Sequence, residues 1–154
     1  MSEKKENLVK LVKQALKKVY DEQKYLIDNK VHERSIVFWF GIYLYELVKD
    51  TKFSEYNLDF EYNRNYKQPK STKNFRAGTY PDIILHKRGS NEDNLLIIEF
   101  KPYWENDINI DLRKLKDFTD NKGKYKYLMG FLIVIEKDQP IIKSVINGEV
   151  IDYE

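Results

Sequence analysis

Residues 81–101 read Pro81-Asp82-Ile83-Ile84-Leu85-His86-Lys87-Arg88-Gly89-Ser90-Asn91-Glu92-Asp93-Asn94-Leu95-Leu96-Ile97-Ile98-Glu99-Phe100-Lys101. Two short apolar runs flank a polar centre that contains Gly, Ser and Asn, the pattern of a β-hairpin. A turn centred between Ser90 and Asn91 pairs His86 with Leu95, Ile84 with Ile97 and Asp82 with Glu99. Opposed residues share a face, with Cβ atoms about 5 Å apart. Lys101 lies two residues beyond Glu99 and joins the same face. The register therefore gathers Asp82, Glu99 and Lys101 at the open end of the hairpin. Two opposed carboxylates destabilise a sheet unless something offsets their charge. A divalent cation would do so, and oxygen-rich ligation suits Mg²⁺ or Mn²⁺. A one-residue slip would send these side chains to opposite faces, so the reading depends on this register.

Upstream, Leu8, Leu11, Val12, Ala15, Leu16, Val19 and Tyr20 recur at helical spacing and predict an amphipathic helix over about 7–27. A second helix is expected over about 32–49, where Val37, Phe40, Leu44 and Leu47 form a stripe that Ile36, Tyr43 and Val48 widen. Four residues before Val37, the stripe reaches Glu33, which turns a carboxylate inward at the first turn. Tyr56, Leu58, Phe60 and Tyr62 alternate with polar residues, the mark of a half-wet strand. Downstream, Ile108, Leu112, Leu115 and Phe118 predict a helix over about 107–121, stopped at Gly123. Leu128 to Ile135 suits a strand covered on both faces, and Asn147-Gly148 marks a terminal hairpin. The expected architecture is α/β, a mixed central sheet flanked by helices in the order α-βββ-α-β. An N-terminal helix and a C-terminal hairpin are extra, and residues 1–154 form a single domain.

The chain has 154 residues, with 27 Lys and Arg against 25 Asp and Glu. There is no Cys, which excludes disulfides, thiolate metal sites and thiol catalysis. The only His are His32 and His86. The longest apolar run, Ile36 to Tyr45, is about half the length a membrane span needs, and the N-terminus has no apolar signal core. No membrane association and a cytoplasmic location are expected. Charge is uneven: Arg64, Lys67, Lys70, Lys73 and Arg76 occupy a stretch, 64–80, without a single acid, and a net-acidic segment follows. Lys67, Lys70, Lys73 and Arg76 are candidates to hold a phosphate backbone. Lys114 reads as solvated, His86 as structural, and Tyr103 and Trp104 as packing residues.

Pro81-Asp82, sixteen intervening residues, then Glu99-Phe100-Lys101 resembles the PD-(D/E)XK motif of the restriction-endonuclease-like nuclease superfamily. The surrounding order of elements, from about residue 32 to residue 135, resembles that superfamily's common core. The resemblance implies a Mg²⁺- or Mn²⁺-dependent nuclease that hydrolyses phosphodiester bonds, in DNA, to 5′-phosphate and 3′-hydroxyl ends. It implies Asp82 and Glu99 as metal ligands, the Phe100 carbonyl as a third, and Lys101 as the residue that orients water and stabilises charge on the phosphate. Several branches place a Glu in the first core helix near the metal; Glu33 fits that place, and the resemblance implies it as a further metal ligand and catalytic residue. Exonuclease branches carry a Gln-based motif in the following helix, whereas residues 107–121 contain no Gln. With one active site per chain, cutting both strands of a duplex calls for a homodimer or two visits. The alternative is a nucleic-acid- or protein-binding module on the same fold with little or no turnover.

Overall fold

The computed structural model describes residues 1–62, 64–66, 70–75, 78–105 and 107–151. A six-stranded mixed sheet has helices on both faces. Its strands are β1 (Asn57–Phe60), β2 (Ile83–His86), β3 (Leu96–Pro102), β4 (Met129–Ile135), β5 (Ile141–Ile146) and β6 (Glu149–Ile151), in that spatial order. Every neighbouring pair is antiparallel except β3 and β4, which are parallel and joined by helix α4 (Asn109–Thr119). A parallel pair needs such a crossover.

Side chains alternate across the strands and separate two cores. Ile83, Leu85, Leu96, Ile98 and Phe100 pack with Met129, Phe131 and Ile133 under helices α1 (Glu3–Glu22) and α3 (Glu33–Lys49). Ile84, Ile97, Leu132 and Val145 face the other way, against Leu115 and Phe118 of α4 and against Tyr125 and Tyr127. β3 and β4 are buried on both faces, which explains their unbroken apolar runs.

The hairpin register is the expected one: Ile83 pairs with Ile98, Ile84 with Ile97 and Leu85 with Leu96. Two boundaries differ from expectation. The first helix ends at Glu22, because Gln23 leaves helical geometry and donates its side-chain amide to the Tyr43 hydroxyl at 2.8 Å. A separate short helix, α2 (Lys24–Asp28), follows. β5 begins at Ile141, well before the expected strand, although the polar Lys143 and Ser144 interrupt its apolar pattern. The Asn147-Gly148 turn does join β5 to β6, with positive φ at both residues as a type I′ turn requires. Among the described residues, no helix is long and apolar enough to cross a membrane.

Candidate active site

Asp82 stands just outside the β2 ladder, whose pairing with β3 stops at Ile83. The Phe100 N–H donates instead to Asp82 Oδ2 at 2.8 Å. A side-chain carboxylate thus takes over from the backbone as acceptor and is fixed against β3 beside Glu99. An extended residue directs its N–H and C=O to the same side of its strand, so the Phe100 carbonyl also faces the Asp82 side. The Phe100 ring packs in the opposite core, edge-on to Phe40 with centroids 5.0 Å apart. Burial raises the pKa of Asp82 above the usual carboxylate range, although the Phe100 N–H works against that rise.

Glu99 is only 2% exposed, and among the described residues its Oε1 has no hydrogen-bond partner. Among the described residues the nearest cation is Lys114 of α4, with Nζ 3.9 Å from Glu99 Oε2. That separation exceeds hydrogen-bond distance, so the charge is only partly offset. Burial is the largest influence on Glu99 and the negative charge of Asp82 adds to it. Together they outweigh Lys114 and push the Glu99 carboxyl well above the usual range.

Lys101 does not pair with Asp82 or Glu99. Its ammonium is 2.9 Å from Asp111 Oδ2 on α4 and 3.5 Å from Glu105 Oε2. Burial disfavours the charge, but the hydrogen bond to Asp111 and the attraction of both acids prevail and hold Lys101 above the ordinary Lys range. Asp111 is itself 7% exposed. The sequence expectation does not include it, although a signal exists: it lies four residues before the buried Leu115, the same backward step that turns Glu33 inward. Lys114, read from sequence as solvated, has a side chain only 20% exposed and faces the site.

Glu33 opens α3, where His32 caps the helix by accepting from the Arg34 N–H. Glu33 and Asp82 line one cavity. Burial pushes the Glu33 carboxyl up to about 7, with Asp82 and Glu105 adding to the rise and Lys101 opposing it. The structure therefore brings together Asp82, Glu99, Lys101 and Glu33, and adds Asp111 and Lys114 from α4.

The donor set fits a hard divalent cation. It is built of carboxylate oxygens, it contains an orphaned buried oxygen in Glu99, and both Asp82 and Glu99 are raised by burial, a condition a cation between them would relieve. Among the described residues, no three His, Cys, Asp or Glu side chains are grouped so as to hold a metal by themselves. Mg²⁺ is commonly held by one or two carboxylates, with water and substrate phosphate completing its shell.

The basic stretch requires a correction. Lys70 is 1% exposed, with its Nζ 5.6 Å from the Tyr62 ring centroid and 4.9 Å from that of Tyr125. Burial lowers its pKa to about 8. A cation enclosed by two rings cannot grip a phosphate backbone. Lys73 is exposed, but its loop is strapped to the far end of α4: Thr72 Oγ1 donates to Asp117 at 2.6 Å and Asn74 Nδ2 does so at 2.8 Å. Asp117 lies six residues beyond Asp111, about 9 Å along the helix axis. Lys67 and Arg76 lie outside the described residues. His86 is structural, with Nε2 2.7 Å from Asp59 Oδ2 and its ring edge-on to Tyr62. Tyr103 and Trp104 pack against the α1–α3 core.

Searches of protein-family models, of curated proteins and of solved structures each found no match to this chain.

Proposed function

We propose that the chain is a metal-dependent nuclease that hydrolyses phosphodiester bonds in DNA. The observation that carries this reading is the convergence, at the open end of the β2–β3 hairpin, of the buried and poorly compensated Glu99 and the half-buried Asp82 with the charged Lys101. The order helix, three antiparallel strands, helix, parallel strand is compatible with a restriction-endonuclease-like core.

Asp82, Glu99 and the Phe100 carbonyl would hold Mg²⁺ or Mn²⁺. When bound, the cation would lower the pKa of a coordinated water and offset charge on the phosphate. The chain's own residues supply the remaining roles. Lys101 is held protonated by Asp111, so it acts as a fixed positive charge on the phosphate oxygens and orients the attacking water. It is not a base. Glu33, poised near neutrality, can accept the proton that the water releases. Water oxygen bonds to phosphorus, the P–O3′ bond breaks with its electron pair on O3′, and O3′ takes a proton from solvent. Lys114 moderates the charge of Glu99 from α4.

The test is cleavage of linear, nicked, branched and single-stranded DNA with Mg²⁺ and with EDTA. Cleavage that EDTA abolishes, and that falls at least about 100-fold in Lys101→Ala while folding is retained, is expected. Cleavage by Lys101→Ala at the parent rate overturns the role of Lys101. Absence of Mg²⁺-dependent cleavage on every substrate overturns the nuclease reading.

A further inference from the structure

A cavity of about 480 Å³ opens directly onto Glu33 and Asp82. Its volume falls within the ~300–1,000 Å³ range of small-molecule sites. One wall is a stripe of α3: Arg34, Val37 and Phe38, with Gly41 one turn on. Phe60, at the end of β1, also lines it.

Two aromatic rings stand open here. Phe38 is 51% exposed and Phe60 is 44% exposed. Phe60 is nonetheless seated. Its ring lies so close over Gly41 that a Cβ there would fall 2.2 Å from the Phe60 Cζ. Glycine under the ring is what lets Phe60 lie down against α3. Glu61, just after it, takes a left-handed conformation (φ 45°) that is uncommon for a non-glycine residue, and its N–H donates to the Asp82 carbonyl at 3.2 Å. The end of β1 is thereby tied to the residue that begins the candidate site.

The chemistry of the rim selects the occupant. Glu33, Glu61 and Asp82 face the cavity against Arg34, which is itself paired with Glu61 at 3.6 Å. A free anion is disfavoured beside three carboxylates. A neutral planar ring with N–H donors is favoured, because the carboxylates accept from its edge while Phe38 and Phe60 meet its faces. Nucleobases have this character, and stacking on aromatic side chains is a sequence-tolerant way to bind them.

We propose that this cavity takes one unpaired nucleobase, stacked by Phe38 and Phe60, from the strand whose phosphate lies at Asp82 and Glu99. The inference rests on the nuclease reading and deepens it, since the enzyme would prefer single-stranded or splayed DNA to intact duplex. A base still stacked in a helix cannot enter.

The test compares binding of a short labelled single strand with that of an abasic backbone of equal length, in Ca²⁺ to hold back turnover. The parent is expected to bind the base-bearing strand roughly tenfold more tightly than the abasic one. Phe38→Ala and Phe60→Leu should each reduce that preference, Phe38→Trp should restore it, and the affinity for the abasic strand should stay at the parent level. Phe38 is half in solvent, so Phe38→Ala should keep the parent Tm and read out the cavity alone. Equal affinity of the parent for the two strands overturns the inference, as does an unchanged preference in both Phe variants, or no binding of either strand. Failure of the nuclease reading looks different: base preference persists and responds to Phe38, but Mg²⁺ brings no cleavage.

Discussion

Glu33→Gln should stabilise the protein above neutral pH and leave it unchanged in acid. In the folded chain, burial and the charge of Asp82 move the Glu33 carboxyl from an ordinary 4.5 to about 7. A carboxyl raised by folding contributes stability that is complete below its unfolded value and is lost as pH rises through its folded value. The loss therefore falls between pH 4.5 and about 7. A displacement of that size corresponds to about 3 kcal/mol. Glu33 is only part-buried, and solvent screening reduces the figure to about 1–2 kcal/mol. The Gln side chain has nearly the shape of the protonated acid and cannot ionise, so it avoids the loss. For a chain of this length the gain appears as about 2–8 °C in Tm. The assay is urea denaturation of parent and variant in EDTA across a pH series. The expected difference is near zero toward pH 4.5, grows up to about pH 7 and is flat beyond. A variant no more stable than the parent at pH 8, or one with the same gain at both ends of the series, would refute the reasoning.

Three further outcomes are expected. Asp111→Asn should slow cleavage by about 10- to 100-fold, as loss of an outer partner typically does. It should also move the alkaline limb of the pH–rate profile down, because Lys101 loses the carboxylate 2.9 Å away that holds its proton; an unmoved limb would show that Asp111 does not act through Lys101. Lys70→Met should leave DNA affinity and its salt dependence at the parent level in a binding titration, since the ammonium is enclosed by Tyr62 and Tyr125, and a shallower salt slope would contradict that. Gly41→Ala should change Tm by only a few degrees, because a helix gain of about 1 kcal/mol offsets displacement of the half-exposed Phe60 ring. The displaced ring should still cost the base preference, and an unchanged preference in that variant would separate Gly41 from the cavity.

The hairpin was legible because its two apolar runs and its Gly-Ser-Asn centre leave one register that buries both. That register carried Asp82, Glu99 and Lys101 to one face. Glu33 was legible from helical periodicity alone. Asp111 follows the same rule, but an acid in the first turn of a helix is equally explained by the helix dipole. The partner of Lys101 was not legible, because Asp111 and Glu99 are both within reach of a long side chain and only the placement of α4 decides between them. Lys70 shows the limit of reading charge along a chain. An acid-free run of bases looks solvated, and nothing local reveals that Tyr62 and Tyr125 close over one of them. The cavity by Phe38 and Phe60 was equally hidden. In sequence Phe60 belongs to the apolar side of an alternating strand and Phe38 lies outside the α3 stripe, and only the approach of β1 to Gly41 brings the two to one cavity.

The most direct measurement is Mn²⁺ binding by the parent and by Asp82→Ala/Glu99→Ala, alone and with a phosphorothioate oligonucleotide that resists cleavage. The two carboxylates provide an incomplete shell that a substrate phosphate would finish. Saturable binding by the parent, tightened by the oligonucleotide and lost in the double variant, is the predicted result. No binding by the parent even with oligonucleotide present, or binding that the double variant retains, would contradict a catalytic cation at the end of the β2–β3 hairpin.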